Sequence, residues 1–182
     1  MEAKEVKLKF FGDGPWVNEP DEEIFQFEGL DCFLSRSLSG CWCGHVKLPS
    51  GHPWIEKSYE EIDIDIHGGL TFKGTPQNIS LEGEWIGFDC AHFSDIIPGC
   101  EDFLKKSTED LKEKIPNLKK VLENPNRPQR TYKDINYARE ETKSLALQVK
   151  NAMFEKSKQG HQPEDQTAEK QLLAPEYSDS QD

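Results

Sequence analysis

No stretch of this 182-residue chain is apolar for long enough to cross a bilayer. Its opening residues, MEAKEVKLKF, alternate charge with hydrophobe and lack the apolar centre of a secretory signal, so a cytoplasmic location is expected. Positive charge is scarce: 22 Lys and Arg face 34 Asp and Glu, for a net charge of −12. Such a field repels phosphate backbones and anionic lipid, which argues against nucleic-acid and membrane partners. Cysteine is sparse and odd in number, with Cys32, Cys41, Cys43, Cys90 and Cys100 giving no regular disulfide framework. Cys41 and Cys43 are one residue apart, a closer spacing than that of zinc knuckles, and no second close pair follows. There is no serine in a nucleophile elbow, no glycine-rich phosphate loop before a helix, and no pair of histidines one helical turn apart. The common nucleotide-hydrolysing machinery is thereby absent, and the histidine spacing is not diagnostic of a metal.

What is present reads as one α+β domain over residues 1–156, followed by an acidic, disordered tail over 157–182. The expected architecture is a mostly antiparallel sheet packed with one long C-terminal helix and a shorter one. Val6, Leu8 and Phe10 alternate with charged residues and predict a strand over 4–11, ended by Gly12 to Pro15. Short apolar runs at 24–27, 32–38 and 42–48 predict strands of a meander. Ile62, Ile64 and Ile66 alternate with Asp63, Asp65 and His67, predicting a strand with one buried face and one polar face. Extended pattern resumes at 70–72, and another strand is expected at 85–88. Beyond Pro98 the period lengthens: Phe103, Leu104, Leu111 and Ile115 have helical spacing until Pro116, Pro125 and Pro128 interrupt it. Thr131 and Asp134 have the spacing of a capping box, ahead of a stripe of Ile135, Ala138, Thr142, Leu145, Val149 and Ala152 over a helix at 132–155.

Chemistry concentrates in IDIDIHGG and GFDCAHFSD. If their strands pair, His67, His92 and Asp89 meet at one end of the sheet as acid, base or metal-ligand candidates. Neutral imidazole with carboxylate suits zinc, manganese or iron, although the spacing assigns no particular metal or other cofactor. Cys90 shares the parity of Ile86 and Phe88, the buried face, and so reads as a core cysteine before a nucleophile. Trp42, Trp54, Phe72, Trp85, Phe88 and Phe93 flank the polar motifs and could wall a small-molecule pocket, with Arg36, Lys47 and Lys73 as the cations for a phosphate. The competing expectation is that the aspartates face solvent, the histidines satisfy turn backbones and the aromatics fill the core.

The stretches Cys43-Gly44-His45-Val46, Gly51-His52-Pro53-Trp54, His67-Gly68-Gly69-Leu70-Thr71-Phe72, Trp85-Ile86-Gly87-Phe88-Asp89-Cys90-Ala91-His92 and Tyr132-Lys133-Asp134-Ile135-Asn136-Tyr137 through Glu140 resemble, in that order, a family of small uncharacterised bacteriophage and prophage proteins. The resemblance spans 31–151. It implies recurring positions at Arg36, His52, His67, Asp89, Cys90, His92, Asp95, Tyr137 and Glu140, and a tyrosine in most members where this chain has His45. Arg36, His52, Thr71, Trp85, Asp95, Tyr137 and Glu140 are the expected ligand contacts around His67, His92 and Asp89. The phage context implies an accessory protein of the bacterial host cytoplasm that recognises or sequesters a small polar, nucleotide-like ligand to counter host defence. The alternatives are a His/Asp-dependent, phosphodiesterase-type hydrolase and an acidic inhibitor that binds a protein.

Overall fold

The computed structural model describes residues 2–77, 79–115, 124 and 129–159. The apolar runs of the first half pair in sequence order: β1 (Glu22–Phe27), β2 (Leu30–Arg36) and β3 (Trp42–Lys47) form the expected antiparallel meander. β4 (Phe72–Gly74) and β5 (Trp85–Asp89) complete a five-stranded antiparallel sheet of order β1-β2-β3-β5-β4. Strand alternation puts Cys32, Leu34, Trp42, Val46, Ile86 and Phe88 on one face, where they form the core with Ala138, Leu145, Ala146 and Val149 of a long helix. The chain is therefore α+β.

That helix runs from Ile135 to Gln159, and a shorter one runs from Glu101 to Lys114. We call them α3 and α2, after α1 at Ala3–Phe11. The stripe read from sequence is the buried one: Ala138, Thr142, Leu145 and Val149 are fully buried. Asp134 caps the helix by accepting the Tyr137 N–H at 2.8 Å, so the cap is Asp134 and not the expected Thr131 box. Thr131 instead forms an isolated bridge with Asp95. Close approach of α3 to the sheet requires Gly44, where a Cβ would stand 2.3 Å from Thr142 Oγ1. Gln159 lies just beyond the expected domain boundary; residues 160–182, most of the expected tail, and the interrupting Pro116, Pro125 and Pro128 lie outside the described residues.

Two predicted strands are absent as strands. Residues 4–11 are helical, with Val6, Leu8 and Phe10 exposed and Lys7 buried against Asp21 and the Glu19 carbonyl. The run is rich in Lys and Glu, good helix formers, and a reciprocal Glu2/Glu5 capping box starts the turn, outweighing a short alternation. Residues 62–66 keep the expected alternation, with Ile62 buried and Asp63 and Asp65 exposed, but no strand pairs with them. Their polar backbone is met by a side chain: Gln148 of α3 accepts the Asp65 N–H at 3.0 Å and donates to the Asp65 carbonyl at 2.8 Å. The helical periodicity of α2 is correct, yet Phe103, Leu104 and Leu111 are exposed. Among the described residues, no helix is long and apolar enough to cross a membrane.

Candidate functional site

One flank of α3 carries Tyr137, Glu141 and Gln148, four and then seven residues apart, and so in a single row. Gln148 holds the 62–66 segment, and two turns away Glu141 Oε2 accepts the His67 backbone N–H at 2.9 Å. The chain then turns sharply, with the Gly69 N–H donating to the Ile66 carbonyl at 3.1 Å and both Gly68 (φ 66°) and Gly69 (φ 82°) left-handed. Gly68 is also required for space. A Cβ there would lie 2.0 Å from the His92 ring, which rests on the glycine's open side.

The second motif leaves β5 through another turn. Asp89 Oδ1 accepts the Ala91 N–H at 3.0 Å, and six residues after Asp89 the chain folds back so that Asp95 Oδ2 accepts the His92 N–H at 2.9 Å. Asp95 is pinned from behind by Arg130, whose Nε and Nη2 donate to its carbonyl at 3.0 and 2.6 Å. Its carboxylate has no solvent exposure. His67 Nε2 lies 2.7 Å from Asp95 Oδ2, His67 Nδ1 lies 2.9 Å from the Tyr137 hydroxyl, and His92 Nδ1 is 3.6 Å from the same Asp95 oxygen. The two imidazoles are edge to face at 5.0 Å between centroids. Lys133 Nζ reaches to 4.0 Å from Asp95 Oδ1 and sits over the Tyr137 ring.

His67 and His92 thus converge, although not through paired strands, and Tyr137 joins them. The carboxylate between them belongs to Asp95, expected only as a ligand contact, and not to Asp89, whose side-chain oxygen is used within its own turn. Glu140 is exposed and pairs with Lys143; its neighbour Glu141 faces the site, a rotation of one position around the helix. Burial and then the Glu141 charge push the Tyr137 phenol up to about 12. Lys133 and Glu141 were missed from the sequence; Glu141 could have been found by continuing the row from Tyr137 by four.

The other expected contacts lie elsewhere. Trp85, with Trp42 and Phe88, is core, Phe93 is exposed, and Thr71 is exposed with its N–H on the Gly87 carbonyl. His52 is buried, its Nε2 facing the Val149 carbonyl at 3.0 Å while Nδ1 accepts the Trp54 N–H. Arg36 is buried in an ion pair with Glu19 and stacks on Trp42, and Lys73 donates to the carbonyls of Ile55 and Lys57. Neither cation is free for a phosphate. Cys90 is buried in the core, which pushes its thiol above the ordinary range and disfavours a thiolate nucleophile. No family model, curated protein or solved structure matches the chain.

Proposed function

We propose that the chain is a His/Asp-dependent hydrolase whose reacting centre is His67, His92 and Asp95, acting on a small polar, phosphate-bearing and nucleotide-like molecule. The observation that carries this reading is the fully buried Asp95 carboxylate set between two partly accessible imidazoles, with Lys133 beside it as a cation for an anionic substrate. Burying a carboxylate is costly, and a fold that does so beside two histidines invests stability in one place where water can be activated. In the reaction a water oxygen bonds to phosphorus, its proton passes to the cluster, and the bond to the leaving oxygen breaks as that oxygen takes a proton. The proposed setting is the one the phage resemblance implies: a bacterial cytoplasm in which the substrate is a host molecule of defence.

The purified full-length chain should turn over one member of a panel of linear and cyclic phosphodiesters and mononucleotides. His92→Ala should abolish turnover while leaving the circular dichroism spectrum unchanged. Tight recovery of an unaltered nucleotide-like ligand, with no turnover of it, would replace hydrolysis by sequestration at the same site.

A further inference from the structure

Two polar atoms in the cluster are buried and lack a hydrogen-bond partner: Asp95 Oδ1 and His92 Nδ1. Such orphans are costly, and each calls for a partner that the neighbouring side chains do not supply. The geometry around His67 points the same way. Its Nδ1 lies 2.9 Å from the Tyr137 hydroxyl and its backbone N–H donates to Glu141 Oε2 at 2.9 Å, so the ring is held in place from two sides. Its Nε2 lies 2.7 Å from Asp95 Oδ2, a nitrogen and a carboxylate oxygen side by side in the same buried cluster.

We propose that His67 Nε2, His92 Nδ1 and the Asp95 carboxylate bind a zinc-class divalent cation, with Tyr137 on His67 Nδ1 and Glu141 on the His67 backbone N–H as the outer support that holds the ring. The three ligand atoms lie within 4.8 Å of one another. Tetrahedral zinc with bonds near 2.0–2.1 Å places its ligands about 3.3 Å apart. Two of the three separations, 2.7 and 3.6 Å to Asp95 Oδ2, bracket that edge, and the third lies within 4.8 Å. Two imidazoles disfavour magnesium and calcium, which take oxygen ligands, and three protein ligands leave a coordination position for water. Entry of the ion displaces any proton carried by His67 Nε2 to solvent. A nitrogen ligand whose other ring nitrogen is held by a hydrogen-bonded relay is the usual support of such sites.

This inference rests on the hydrolase reading for its purpose but not for its test. The full-length protein, stripped with a chelator and dialysed, is titrated with Co2+ and followed by visible absorption. One equivalent should give the bands of a low-symmetry, nitrogen- and oxygen-bound ion, and Zn2+ should displace it. His92→Ala should weaken binding by about 100-fold or more, and Tyr137→Phe, which removes no ligand, by about 10- to 100-fold. No uptake, uptake indifferent to His92→Ala, or an intense sulfur-to-cobalt charge-transfer band would overturn the site. Turnover by a protein that takes up no ion would overturn the site while leaving the proposed function standing. Metal bound at one equivalent with no turnover across the panel would support it and count against hydrolysis.

Discussion

His45 illustrates how much one side chain sets on the sheet face opposite α3. Its ring stacks on Phe33 at 5.8 Å, meets Phe72 edge-on at 5.0 Å and is almost fully buried, with Nδ1 unpartnered. Burial pushes its pKa down to about 4 from an ordinary 6.5. Between those values the unfolded chain binds a proton that the folded chain refuses, so stability falls as the pH falls through this window. The loss amounts to about 3 kcal/mol once the pH is below the lower value. His45→Phe keeps an aromatic between Phe33 and Phe72 and removes the titration. Urea melts at a series of pH values should show a flatter acid limb in the variant; parallel limbs would mean that the imidazole does not resist protonation.

At the level of elements, legibility followed the source of each segment's hydrogen bonds. β1, β2, β3 and β5 could be read because their alternation is answered by neighbouring strands and by α3. The 62–66 segment alternates just as clearly, but the groups that hold it are the Gln148 amide and the Glu141 carboxylate, which a strand pattern does not announce. The same limit separated Asp95 from Asp89: both carboxylates sit in one short segment, and only the direction of the turn decides which enters the site. His67 is marked in the sequence by the Gly68-Gly69 turn that follows it and His92 by the end of β5 three residues before it, although only the second leaves a sheet. What joins the layers is tested by Gly44→Ala. The new Cβ would drive into Thr142 Oγ1 and the Phe88 ring, and should cost about 1–3 kcal/mol by overpacking, read as a lower urea midpoint. If Gly44→Ala melts like the parent, α3 does not sit as close to β3 as the geometry has it.

Over the whole molecule, Glu19 and Arg36 tie the parts together. Arg36 reaches from the end of β2 to the Glu19 carboxylate at 2.8 Å and to the Gly40 carbonyl at 2.7 Å. Glu19 also accepts from the Tyr132 hydroxyl at 2.6 Å, the Trp42 indole N–H at 3.0 Å and the Ile135 N–H at 3.3 Å. One carboxylate therefore joins the segment after α1, two strands and the start of α3, whose first turns carry Tyr137 to the site. Burial would raise its pKa, but the hydrogen bonds from Tyr132, Arg36 and Trp42 outweigh it and hold the group below its ordinary 4.5. A carboxyl depressed by folding lends stability above its unfolded pKa and loses it as the pH falls through the folded value. Glu19→Gln keeps the shape and leaves Arg36 buried without its principal counter-charge, which should cost about 3 kcal/mol at neutral pH. The penalty should shrink as the pH falls below the native carboxyl's pKa, where the parent has lost the same charge. A variant as stable as the parent at neutral pH would reduce this contact to ornament, whereas a constant deficit down to strong acid would assign the loss to packing instead of charge.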